Sequence, residues 1–207
     1  MDPNQSIRSF DQNTRAGVRS VLHLLNLEEI EALLLKVPLL IKQLEEHDPG
    51  FFPGVKSWLS DVEDTLSKNR IPAASEVAAY RGALISLERG YSDGSALQNR
   101  MGARNLKEAR GSHTLKLATG VITETVRPRR GQIDEASRIM MQIVAVADHL
   151  GLIPPPTDQN HTSYLQSILQ AISNRAELTS LVLHVIGVLG NADTLIVLDR
   201  SIGRLRQ

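Results

Sequence analysis

The chain has 207 residues, enough for one sizeable core or two small ones, and its 42% apolar and 22% charged composition is that of an ordinary globular protein. There is no cysteine, which excludes disulfides, thiolate metal sites and cysteine nucleophiles. The 23 basic and 23 acidic side chains cancel, and an aromatic share of only 3% calls for an aliphatic core of the kind helix packing favours.

In chain order, residues 1–12 read as a flexible arm, polar and without the basic-then-apolar pattern of a secretory signal. Helical periodicity starts near Asn13 or Thr14. Ile30, Leu33, Leu34, Val37, Leu40, Ile41 and Leu44 then form one stripe at three- and four-residue steps. Pro38 interrupts it, because a proline ring clashes with the carbonyl four residues back; a kink or two short helices is expected. Asp48-Pro49-Gly50 ends this segment and Pro53-Gly54 opens the next, whose stripe is Val55, Trp58, Leu59, Val62 and Leu66. A further helix starts near Pro72, carries Val77, Tyr80, Leu84 and Leu87, and stops around Gly90.

Residues 92–110 hold only Leu97, Met101 and Leu106 as large apolar side chains, which predicts an exposed helix or a loop. The run Val121-Ile122-Thr123-Glu124-Thr125-Val126 is β-branched enough for a strand. Leu115, Ala118, Ile122 and Val126 fit a helix instead, and helix is the reading for 112–127 because no partner strand is visible. Arg127-Pro128-Arg129-Arg130-Gly131 reads as a compact basic turn.

The clearest signal is the heptad stripe Ile133, Ala136, Met140, Ile143, Ala147 and Leu150, with Gly151 where a terminating glycine belongs. Pro154-Pro155-Pro156 reads as a stiff hinge. Three short helical patterns follow at about 159–173, 176–189 and 192–206. The expected fold is therefore all-α: a bundle of about eight to ten helices, with a helical body over 13–153 and a C-terminal three-helix unit over 157–207.

Charge is segregated inside this neutral chain. Residues 99–130 hold eight basic side chains against two acidic ones, whereas 1–98 hold ten against fourteen and 131–207 five against seven. Arg100, Arg104, Lys107, Arg110, Lys116, Arg127, Arg129 and Arg130 are the candidate contacts to a polyanion, a nucleic-acid backbone or an anionic membrane surface. Base stacking is not expected, since the segment has no aromatic residue. The competing reading is a solvated face whose ion pairs are made to the acidic N-terminal half.

No arrangement of catalytic residues stands out. The six histidines include no pair four apart on a helix, His184 reads as a core or interface residue, and the carboxylates fall on polar faces. No cofactor, metal or catalytic residue is expected, nor an apolar run approaching the roughly 20 residues of a membrane-spanning helix. The string Asn99-Arg100-Met101-Gly102-Ala103 is similar to one in influenza matrix proteins. That resemblance implies an all-helical coat or matrix role, and over five residues it transfers no residue function.

The first functional expectation is a non-enzymatic, intracellular helical assembly protein that self-associates, with Ile133, Met140, Ile143 and Leu150 as candidate contacts. The second is a structural protein of viral coat or matrix type, located in a virion and binding RNA or an anionic surface through 99–130. The third is an enzyme with an unrecognised site.

Overall fold

A computed structural model describes residues 23–90, 102–155 and 160–207. The arm, Leu97 to Met101, Arg100 and Pro156 lie outside the described residues. Among the described residues the protein is all-helical, without strands. The elements are α1 (Leu24–Leu34), α2 (Val37–Glu45), α3 (Phe51–Lys68), α4 (Ala73–Glu88), α5 (Ala103–His149), α6 (His161–Ser173), α7 (Ala176–Leu189) and α8 (Asn191–Leu205).

α5, 47 residues long, is the spine. α1 to α4 and then α7 and α8 pack on it, and α6 packs on α7 and α8. Its buried stripe is Leu115, Ala118, Ile122, Val126, Arg129, Ile133, Ala136, Met140, Ile143 and Ala147. Every step is three or four residues, so one side of the helix faces the core throughout. Gly111 extends the same side. A Cβ there would stand 2.9 Å from Phe51 Cε1, so the missing side chain is what lets the start of α3 lie against α5.

The β-branched run is helical because Ile122 and Val126 fall on the buried stripe, and its hydroxyls are satisfied locally. The Thr119, Thr123 and Thr125 hydroxyls donate to the carbonyls of Leu115, Thr119 and Val121 at 2.7, 2.8 and 2.7 Å. The expected basic turn at 127–131 is corrected: it is helix. Pro128 sits inside α5, where it gives up the bond its nitrogen would donate and crowds the Glu124 carbonyl, a cost of about 3 kcal/mol, and packing on both flanks holds the helix together.

Pro38 falls in the first turn of α2, where its missing N–H is not needed, and this separates α1 from α2. α5 ends as the glycine at 151 suggests. Gly151 has φ +67°, its N–H donates to the Asp148 carbonyl at 2.8 Å, and the Leu152 N–H donates to the Ala147 carbonyl at 2.9 Å. Leu150 therefore caps the helix and is exposed, which departs from its expected place on the buried stripe.

Trp58 Nε1 donates to the Leu33 carbonyl at 2.8 Å, tying the end of α1 to α3. The opposite end of α1 has no side-chain cap of its own. Asp193, in the first turn of α8, supplies one: its Oδ2 accepts the Leu24 N–H at 3.0 Å. Gly190 (φ +80°) makes the 119° bend between α7 and α8 that brings Asp193 there.

Candidate interaction surface

The basic segment is helical from residue 103 onward, and the helix disperses its charges. At about 100° per residue, Lys116 and Arg127 differ by only about 20° around α5, whereas Lys107 lies on the opposite side from Lys116. Arg104 bonds the Glu108 carboxylate at 3.0 Å and the His47 carbonyl. The Lys107 ammonium sits 5.7 Å from the centre of the Phe52 ring, and Arg110 is half-buried. Arg130 reaches Glu31 of α1 at 3.0 Å and Asp134 at 3.1 Å. Arg127 pairs with Glu124 at 2.8 Å, and Lys116 is exposed.

Arg129 departs most from the expectation of a surface cation. Its residue is only 9% exposed, and Nη2 lies 3.5 Å from the equally buried Asp193 Oδ2. Nη1 donates to the Val188 carbonyl at 2.8 Å and to Gln132 Oε1 at 3.2 Å. A buried charge is tolerable only when paired and hydrogen-bonded, and this one joins α5, α7 and α8. His23 Nδ1 approaches the same Asp193 oxygen at 3.6 Å from the N-cap of α1.

Three surface carboxylates are shifted by their hydrogen-bonded partners. Hydrogen bonds from His47 and then Arg104 push the Glu108 carboxyl below its ordinary range. Arg200 does the same to Glu28, and Arg138 to Glu135. These are features of ion pairing on and between helices, as in the reading of internal salt bridges.

Of the candidate self-association residues, Ile133, Met140 and Ile143 are 3%, 0% and 1% exposed and pack inside the chain; Leu150 is exposed. His184 is also exposed rather than in the core. Among the described residues no three histidine or carboxylate side chains are placed to hold a metal ion, and no single helix is long and apolar enough to cross a membrane.

What the arrangement leaves open is the side of α5 that faces away from the core. It is exposed at every turn, at Ala109, His113, Lys116, Gly120, Glu124, Arg127, Gly131, Glu135, Arg138, Gln142, Ala145 and His149. A Cβ on Gly120 or Gly131 would meet nothing within 4 Å. Beside Gly120, an open groove of about 670 Å³ runs between α5 and the start of α4, lined by Pro72, Ala73, Glu76, Val121, Glu124 and Thr125 among others. The composition of this outer side was visible in the sequence, but its extent was not, because Pro128 and the glycines read as breaks.

No protein-family model, curated protein or solved structure matches this chain.

Proposed function

We propose that this chain is a non-enzymatic helical assembly module that associates with copies of itself. The supporting observation is the outer face of α5, uncovered at every turn from Ala109 to His149. Two mid-helix glycines lie on it, each costing about 1 kcal/mol relative to alanine, with no contact among the described residues to account for the missing side chain. Sedimentation equilibrium or light scattering tests the reading. The mass should rise with concentration above the 22.8 kDa of one chain, and a constant monomer mass up to several hundred micromolar overturns it.

A second reading, contact with a polyanion, is favoured by Lys116, Arg127 and Arg130, all exposed and within about 60° of one another around α5. Binding to an oligonucleotide or to anionic vesicles should then weaken steeply with salt, and charge reversal at Lys116 and Arg127 should remove it without lowering thermal stability. The 260/280 absorbance ratio of the purified protein gives an early indication.

A further inference from the structure

The outer face of α5 has an order of charges that fits a reversed copy of itself. Along it stand Lys116, Gly120, Glu124, Arg127, Gly131 and Glu135, spaced four, four, three, four and four residues apart. All six are exposed, and they fall within an arc of about 100° that lies opposite the buried stripe. The spacing is the same read from either end, and among these six reversal exchanges every charge for its opposite and leaves glycine on glycine, while Leu117 and Asp134 at the edges of the arc fall against each other.

We infer that two copies pair through this face, antiparallel, about a twofold axis passing between Thr125 and Val126. The inference rests on the self-association reading and supplies its interface. Lys116 then meets Glu135 of the second copy, Glu124 meets Arg127, and Gly120 meets Gly131. Each contact occurs twice, as a twofold interface requires.

Other registers fail on charge or on the glycines. A parallel pair places Lys116 on Lys116, Glu124 on Glu124 and Arg127 on Arg127. Like charges placed against each other suppress that alternative. An antiparallel pair centred on Gly131 matches Arg127 with Glu135 and Glu124 with Arg138, but sets Gly120 against Gln142 and so loses the close approach there. An antiparallel pair centred on Gly120 gives Lys116 a Glu124 partner but sets Gly131 against Ala109 and Glu135 against Asn105, so it keeps fewer charge pairs; the inferred register sets His113 against Arg138 at its edge.

The ion pairs already made within the chain do not oppose the arrangement. Glu124 and Arg127 are 67% and 66% exposed in their side chains, and such surface pairs exchange partners at little cost. The glycines allow the two backbones to approach between the charged positions. Gly111 provides the contrast within the same helix, since Phe51 of this chain occupies the space beside it. The contact spans about 28 Å of helix, which places it among small, reversible interfaces.

The absence of native cysteine makes single-cysteine reporters in the full chain clean. In the inferred register, position 124 lies about 4.5 Å along the axis from its own copy, and position 116 about 28 Å from its own. Glu124→Cys should form an intermolecular disulfide under mild oxidation and Lys116→Cys alone should not. A mixture of Lys116→Cys and Glu135→Cys should give the mixed dimer. In sedimentation, Glu124→Arg or Arg127→Glu alone should weaken association at least tenfold, and the double exchange should restore it. Gly120→Leu should weaken association while the monomer's melting temperature rises through helix propensity.

A wild-type monomer at all concentrations overturns self-association and this pairing with it. A wild-type dimer in which Lys116→Cys links to itself, in which the mixed pair does not link, or which the double exchange does not restore, overturns the pairing alone.

Discussion

Arg129 and Asp193 meet at 3.5 Å in the interior, across 64 residues of chain, and each depends on the other to be buried. Asp193 also accepts the Leu24 N–H, so one carboxylate fixes the start of α1, the middle of α5 and the first turn of α8. Near the same seam Arg200 of α8 holds Glu28 of α1, and Arg130 of α5 holds Glu31. The described N-terminal helix is thus fastened to the C-terminal one through charge.

Removing one partner of this pair should be far worse than removing both. Asp193→Ala strands the Arg129 guanidinium and frees the Leu24 amide, and should lower unfolding stability by about 3–5 kcal/mol. Arg129→Met combined with Asp193→Asn should recover a large part of that loss, because no unpaired charge remains inside. Urea denaturation of the parent and the two variants checks this. Equal losses for the single and double variants would show that the charges do not act as a pair.

Two glycines of α5 should respond oppositely to alanine. At Gly111 the new methyl would meet the Phe51 ring, which is 1% exposed and has nowhere to move, so Gly111→Ala should destabilise by about 1–3 kcal/mol. At Gly120 there is open space, so Gly120→Ala should stabilise the monomer by about 1 kcal/mol through helix propensity. Thermal melts at low protein concentration distinguish the two. A stabilising Gly111→Ala would contradict the close approach of α3.

Much of the fold was legible in the sequence. The all-α class follows from periodicity, and α7 was expected over 176–189, where it lies, because Gly190 supplies a clear stop. α5 was harder, since Pro128, Gly120 and a cluster of arginines look locally like an interruption. They do not interrupt it, because one lost hydrogen bond and one crowded carbonyl are small beside the burial on both flanks. Arg129 was readable in principle. It stands at the three-then-four step between Val126 and Ile133, a core position, and a charge in that register requires a buried partner. Asp193 carries no such sign, since nothing near it in sequence indicates which distant helix end it caps. The outer face was invisible for the opposite reason: its members become neighbours only once 103–149 is one helix.

Arg70 follows α3 with φ +55° and has the bonding of a helix terminus that usually takes glycine: the Ile71 N–H donates to the Leu66 carbonyl at 2.9 Å. A side chain in this left-handed region costs about 1–2 kcal/mol, partly offset by the greater freedom of glycine in the unfolded chain. Arg70→Gly should therefore stabilise the protein by about 0.5–1 kcal/mol, an increase readable in a thermal melt. A fall in melting temperature would show that the Arg70 side chain makes contacts that outweigh its backbone strain.

The tie between α1 and α8 gives a pH dependence whose sign can be worked out. Arg200 donates hydrogen bonds to both Glu28 carboxylate oxygens, one of them at 2.9 Å, and this holds the Glu28 carboxyl below its ordinary range in the folded protein. The folded state therefore binds the Glu28 proton more weakly than the unfolded state does. The stabilisation is fully present above the ordinary carboxylate range and is lost as pH falls through the lowered folded value. Because the side chains are 34% and 44% exposed, solvent screens the pair, and its contribution at neutral pH is about 0.5–1 kcal/mol. Glu28→Gln should be less stable than the parent by that amount at pH 7, and the two should converge as pH drops below the folded value. Other ionised carboxylates, Glu108 and Glu135 among them, titrate in both proteins, so the difference isolates Glu28. High salt should shrink the gap at pH 7. A gap that stays constant from pH 7 to pH 3 would mean that Glu28 holds α1 through packing rather than charge.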